Sequence, residues 1–390
     1  MKQYFRKKLY KICGGLAWVI SSVFSPITIY KLAGILPVKR ISGEQYPLIS
    51  YKAAPPAVWQ KPVSRQTQAR FLTPTPTSHV MNHLIEIKQG IACQLGFVFT
   101  EGGYLIANAS HKQGPNPSGK HTKLQRQKFL FFDPPHRTFP FVNRTVAVLT
   151  ASTQNTYFHW LFEVLPRLNM LATMGINPEQ IYLSYQQPFQ RETLEILGVT
   201  ADDYIINCDT VPLIQAATLF VPCHEIQNGR EFPQWVCRFL RESFLPQAIK
   251  GKPSKGHRIF ISRLTGWHRR LINEHEIMGL LKNYGFQSVR LEELPFLDQV
   301  TLFRDAEIVI GSHGGGLSNL IFSRPGTRVI ELFPAVGMDL YWRLCDAVGL
   351  EYYPLNAREG DSSRCGPEDY AISLEDFQKI LKRAKVTACG

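Results

Sequence analysis

Three short stretches of this chain combine residue types that could do chemistry. The first runs from Ala306 to Pro334 and holds Gly311, Ser312, His313 and three consecutive glycines, Gly314, Gly315 and Gly316, directly after the strand-forming Ile308, Val309 and Ile310. Consecutive glycines let a backbone approach a ligand without Cβ clashes and take up positive φ. A helix starting near Gly316 would present N–H groups that lack helical acceptors and suit phosphate oxygens. A charged His313 would add a hydrogen bond to such an anion. A plain strand-to-helix turn with a surface histidine has the same pattern.

A histidine and a glutamate four residues apart share one face of a helix. His159 and Glu163 stand at that spacing in NTYFHWLFEVLPR, residues 155–167. Beside Phe158, Trp160 and Phe162 the pair suits a partly desolvated acid/base site. An amphipathic helix with a solvent-facing polar pair reads the same way. Pro166 predicts a kink or the helix end, with Arg167 beside it. The third stretch is Ile261-Ser262-Arg263, followed by His268, Arg269 and Arg270. Arg263 ends a predicted strand, where α/β folds often place ligand contacts, and its planar fork suits phosphate. A basic surface loop is the alternative.

The elements that must hold these residues follow from apolar patterning. Residues 1–80 form an N-terminal segment, membrane-proximal or irregular, in which residues 31–80 are rich in Pro, Ser and Thr. Residues 81–245 start with short apolar runs, Leu84–Ile87 and Leu95–Phe99, and Gly102-Gly103 predicts a hairpin turn. Strand candidates at 146–150, 180–184, 203–206 and 217–221 alternate with helical stretches, which predicts a parallel sheet. A basic, glycine-containing linker is expected at Leu245–His257. Residues 258–385 repeat the alternation: strands at 258–262, 287–290, 307–310 and 327–333, helices at 274–284 and 295–305. The expected fold class is α/β, and two doubly wound domains would place a ligand cleft between the carboxyl ends of their strands.

With 390 residues and 44% hydrophobic content the chain can bury about two cores and is not disordered in general. Its net charge of +13 suggests polyanionic partners. Part of that charge sits in the first eleven residues and part in the Gly/Pro/Lys-rich Lys112–Lys128, a placement typical of a solvated face or of contact with anionic lipid, so nucleic acid is not the expected partner. Ile12–Tyr30 is mostly apolar after that basic start, but contains Gly14, Gly15 and Pro26. A membrane-surface helix, a marginal anchor and a packed N-terminal helix all remain open. Eight scattered cysteines, with no C-x-x-C pair, argue against a disulfide framework or structural zinc and for a reducing compartment. The expectation is a cytoplasmic protein, with peripheral membrane contact through the basic-apolar start.

Taken in order, NTYFHWLFEVLPRL, RIFISR with RRLIN, GSHGGGLSN and SRPGTRVIELFP resemble glycosyltransferase family 61 across roughly residues 80–355. That family's signature joins an H-x-x-x-E/D helix, an I-S-R strand, an HGAG-like turn and a V-I-E strand. Gly315 stands where alanine is more usual, a change a turn should tolerate.

The resemblance implies a GT-B-like architecture of two facing Rossmann-like domains, here with a β-rich N-terminal region. It implies inverting transfer of a sugar from a nucleotide-sugar donor to a glycan acceptor, without a metal or other cofactor. Glu163 is then the first choice for the base that takes the acceptor proton, with His159 its competitor or orienting partner. Arg263, His313 and the amides of Gly314, Gly315 and Gly316 are the expected diphosphate contacts. Asn319 holds the loop or touches the nucleotide. Glu331 accepts from ribose hydroxyls or is a structural carboxylate, and Arg167 pairs with phosphate or with Glu163. Rival classes are a non-catalytic nucleotide- or polyanion-binding protein, a dinucleotide-dependent oxidoreductase and a P-loop ATPase. The last two lack their glycine signatures here.

Overall fold

The computed structural model describes residues 40–41, 48–50, 83–101, 105–106, 140–151, 153–199, 204–223, 232–248, 258–266, 269–334, 338–357 and 369–388. The apolar N-terminal stretch, the Lys112–Lys128 segment, Gly102-Gly103 and His268 lie outside the described residues. Among the described residues no helix is long and apolar enough to cross a membrane.

The first ten strands are β1 (Arg40–Ile41), β2 (Leu48–Ser50), β3 (His83–Lys88), β4 (Ile91–Cys93), β5 (Val98–Phe99), β6 (Leu105–Ile106), β7 (Phe141–Val148), β8 (Gln180–Leu183), β9 (Ile205–Asn207) and β10 (Leu213–Cys223). Helix α1 (residues 157–173) follows β7, α2 (Pro188–Ile196) follows β8 and α3 (Gln234–Ala248) follows β10. These strands form one sheet with the path β1-β6-β5-β4-β10-β7-β8-β9, and β3 pairs with β10 and β2. The expected parallel arrangement holds for β10, β7, β8 and β9. The strands of the expected β-rich entry region join the same sheet, which as a whole is mixed. The cause is the eleven-residue length of β10: besides its parallel partner β7, it takes β4 along Leu213–Gln215 and β3 along Thr218–Cys223, both antiparallel.

The second sheet is built from β11 (Arg258–Ile261), β12 (Gln287–Val289), β13 (Ile308–Ser312), β14 (Arg328–Phe333) and β15 (Glu351–Asn356). Between them run α4 (Glu274–Lys282), α5 (Phe296–Asp305), a 3₁₀ helix Gly315–Phe322 and α6 (Leu340–Val348), and α7 (Leu374–Arg383) follows. All pairings are parallel, in the order β12-β11-β13-β14-β15. Counted within the sheet this is 2-1-3-4-5, a doubly wound order whose topological switch falls between β11 and β13. The expected linker starts later than Leu245, because α3 continues to Ala248 through Pro246. Phe244 and Ala248 are fully buried and Thr301 Oγ1 donates to Ala248 O, so packing holds the last turn despite the proline.

Side chains alternate across each strand, and the second sheet divides its residues accordingly. Phe260, Ile308, Ile310, Ile330 and Leu332 face one cluster with α4 and α7 residues. Ile259, Ile261, Val309 and Val329 face a larger cluster that also takes Ala147, Leu149, Ile181 and Leu183 from the first sheet. The same cluster holds apolar residues of α1, α3, α5, α6 and the 3₁₀ helix, so both sheets and these helices share one core.

Within that core Trp160 is fully buried and its Nε1–H donates to Thr193 Oγ1 at 2.8 Å. Thr193→Val removes the acceptor at nearly constant volume and strands the indole N–H. It is expected to destabilise the fold by about 1–3 kcal/mol, read as a lower urea midpoint with an unchanged slope.

Candidate functional site

The segment carrying His159 and Glu163 is not a uniform α-helix. An α turn, Tyr157–His159, leads into a π-helical turn, Trp160–Val164, and then into the α-helical Leu165–Thr173. Pro166 offers no N–H to the residue four before it, and its ring crowds that residue's carbonyl. The wider turn sits immediately upstream of this defect, a common setting for π turns. His159 Nδ1 lies 2.6 Å from Glu163 Oε1. The side chain of Glu163 is 4% exposed and that of His159 is 22% exposed. Solvent therefore meets the imidazole while the carboxylate lies behind it. Arg167 is buried and its Nη1 donates to Thr150 O at 3.0 Å, just beyond the carboxyl end of β7.

On the other side of the site, Arg263 follows β11 and the glycine turn follows β13, so the two flank the switch point of the second sheet. The fit between them is close. A Cβ on Gly314 would overlap Arg263 Nη1. Glycine is needed there for space and not for φ, which is extended at 171°. Burial, and then the neighbouring Arg269 guanidinium, push Arg263 below the usual arginine range. Arg270 is occupied elsewhere, in a two-nitrogen pair with Asp369.

His313 directly follows β13 and Glu331 lies on the neighbouring β14, and His313 Nδ1 is 2.5 Å from Glu331 Oε1. Glu331 is fully buried, and its second oxygen accepts from the Tyr352 hydroxyl. With both oxygens engaged inside the protein, Glu331 holds the His313 ring, and Nε2 is the ring nitrogen left for a further partner. The imidazole stacks on Phe333 at 5.4 Å and tilts against Tyr341 at 5.3 Å. Burial pushes the Tyr341 and Tyr352 phenols up, so both remain neutral hydroxyls.

The two sides meet. The Tyr341 ring also contacts Phe158, beside His159, at 6.4 Å. The Cβ of Tyr157 stands 3.9 Å from where a Gly315 Cβ would lie. Asn319 is fully buried and accepts from the Tyr157 hydroxyl at 2.7 Å. The structure thus brings together His159, Glu163, Arg263, His313, the glycines, Asn319 and Glu331, and places Arg167 against the end of β7. Tyr157, Gln299, Tyr341 and Tyr352 were not singled out from the sequence. Gln299 alone left a trace there, as a polar residue on the apolar face of a predicted helix.

Two chemistries can be addressed directly. The described cysteines at 93, 208, 223, 237 and 345 are buried and unbridged. Burial pushes the Cys93 and Cys237 thiols up to about 12, which leaves them inert as nucleophiles. Among the described residues no three His, Cys, Asp or Glu side chains converge as a metal site.

Residues 157–330 match the sequence model of the family described as Glycosyltransferase 61. That range spans every candidate site residue except Glu331. The chain is also similar to the EGF domain-specific O-linked N-acetylglucosamine transferase of Drosophila melanogaster, 30% identical over 152 residues, covering 38% of this chain and 27% of the relative. The Bos taurus protein of the same name is 30% identical over 180 residues, 42% and 33% respectively. The beta-1,2-xylosyltransferase of Arabidopsis thaliana is 28% identical over 131 residues, 29% and 23%. The matches span about a quarter to a third of these relatives' lengths.

Space around the glycines differs sharply. A Cβ at Gly316 would come within 2.9 Å of Leu291 Cδ1, whereas one at Gly315 meets only ordinary contact. Gly316→Ala is expected to cost about 1–3 kcal/mol by overpacking, and Gly315→Ala to stay within about 0.5 kcal/mol. Thermal denaturation of the two variants checks the difference.

Proposed function

Because residues 157–330 match the model of glycosyltransferase family 61, we propose that this chain transfers a sugar from a nucleotide-sugar donor to a hydroxyl of a glycan acceptor. The observation that carries the reading is Arg263 seated against Gly314 at the switch point, with His313 fixed beside it by Glu331. In this reading residues 258–385 form the donor domain and residues 81–245 the acceptor domain of a GT-B-like pair. Relatives named for N-acetylglucosamine and xylose transfer support a hexosyl or pentosyl residue as the group moved. Assembly of a polysaccharide is the proposed setting.

The reaction is a single displacement at the anomeric carbon, and it inverts configuration. The acceptor oxygen attacks as its proton passes to a protein base, and the bond from the anomeric carbon to the phosphate oxygen breaks with its electron pair leaving on the diphosphate. The family resemblance makes Glu163 the first choice for the base. The exposure of the pair favours His159 for the contact with the acceptor, while Glu163 orients the ring through Nδ1. Arg263, His313 and the amides that open the 3₁₀ helix at Gly315 and Gly316 stabilise the departing charge. These groups supply the positive charge that a divalent cation would otherwise provide, so the proposed mechanism is metal-independent. Glu331 and Asn319 act here from behind the surface, as supports for His313 and the turn.

Titration with a panel of nucleoside diphosphates, in chelator, tests the donor site. One nucleotide at a hundred times its Kd is expected to stabilise the protein by about 2.7 kcal/mol, an effect lost in Arg263→Ala and in His313→Ala. No shift with any nucleotide overturns the transferase reading, and a shift that needs a divalent cation overturns metal independence. His159→Ala is expected to leave that binding intact and to lower kcat by about 10²–10⁴-fold, measured as transfer from the matching nucleotide sugar.

A further inference from the structure

The base-bearing segment and the donor-side turn are joined by one line of hydrogen bonds whose polarity is fully determined. Gln299 Nε2 donates to Leu291 O at 2.9 Å and to Leu294 O at 3.0 Å. Its Oε1 must therefore face Asn319, and it accepts from Asn319 Nδ2 at 2.9 Å. Asn319 Oδ1 is thereby left as the acceptor for the Tyr157 hydroxyl at 2.7 Å. No amide in this line can flip without setting acceptor against acceptor. The line begins two residues before His159, passes under the glycine turn and ends on the segment beyond the carboxyl end of β12.

Packing reinforces the same path. The Tyr157 ring meets Phe189 edge-on at 5.3 Å and Phe296 at 6.4 Å, so it is gripped by one residue from each half of the chain. Asn319 Nδ2 also reaches Gly316 O at 3.3 Å, and Leu291 packs against Gly316. Burial pushes the Tyr157 phenol far up, which keeps it a neutral donor.

From this geometry we infer that Tyr157, acting through Asn319 and Gln299, is a positioning residue that sets His159 and Glu163 against the donor-side turn. The inference rests on the transferase reading above and deepens it. Tyr157 touches neither reacting group. Its hydroxyl fixes where the helix start stands relative to Gly315 and Gly316, and so the alignment of acceptor oxygen, anomeric carbon and leaving diphosphate. Misplacement of about 1 Å far from the chemistry can cost a hundredfold in rate.

The test compares wild type with Tyr157→Phe and Gln299→Met, which break the line at opposite ends. Calorimetry with the nucleoside diphosphate that stabilises the wild type reads the donor side. Transfer from its nucleotide sugar to a panel of glycosides, and to water, reads the alignment. Both variants are expected to keep Kd within about twofold while kcat falls about tenfold or more. Unchanged kcat overturns the inference, and so does a loss carried wholly in Kd or in the folded fraction. Should Gln299→Met fail to fold, Tyr157→Phe, which removes one atom, decides alone. A wild type that binds no nucleoside diphosphate sinks the transferase reading instead. Hydrogen exchange at the Gly315 and Gly316 amides then decides the coupling: faster exchange in the variants supports it, and unchanged rates overturn it.

Discussion

The constraint on which this site depends is the seating of a guanidinium directly on a backbone that has no side chain. Arg263 reaches across the switch point of the second sheet and rests on Gly314, where any Cβ would overlap it. Two strands must end side by side for this to happen. β11 and β13 are in register from Arg258↔Ile308 to Ile261↔Gly311, so the chain emerges from both at the same level. Cationic groups gathered there are costly unless something offsets their mutual repulsion and desolvation. The depressed affinity of Arg263 for its proton records that cost. An anion arriving at the turn would relieve it.

Histidine–carboxylate pairs occur on both sides of the site, and they are built differently. The pair at His313 is locked: it joins the end of one strand to its neighbour, its carboxylate is fully buried, and Tyr352 closes the second oxygen. The pair at His159 spans a single turn of helix and leaves the imidazole partly open to solvent. A locked ring suits holding a charge in one place, while an open one suits meeting an incoming hydroxyl and giving up or taking a proton. The contrast arises from local architecture. Strand neighbours fix two side chains through ladder geometry, whereas a helix face fixes them only through one turn of backbone.

Much of this was legible before any coordinates. The second half reads clearly because its strands are short apolar runs bounded by glycine and proline, and because strand and helix alternate at regular spacing. The turn at Gly311–Gly316 and the i,i+4 pair at 159 and 163 are local patterns, so local reasoning finds them. What escaped depends on contacts between distant residues. The antiparallel partners of β10 lie 130 residues away in the case of Lys88 and Thr218, and no local period announces them. Tyr352 and Tyr341 look like ordinary core aromatics until Glu331 and His313 are placed beside them. The role of Glu331 turned on the same information: its position at the end of a strand was plain, but its partners were not. Asn319 gave no sign that it faces Tyr157, 162 residues earlier.

The widened turn at Trp160–Val164 has a consequence for how this segment can change over time. A π turn is an α-helical turn carrying one surplus residue. Deleting any single residue from 160 to 162 would let the turn close as an ordinary helix and would bring Glu163 from the fourth to the third position after His159. The ring and its carboxylate would then meet in a different geometry, although the composition of the segment would hardly differ. The length of this segment is thus constrained alongside its content. Among descendants of this sequence, the interval from Tyr157 to Pro166 should therefore keep its count of residues as strictly as it keeps Tyr157, His159 and Glu163.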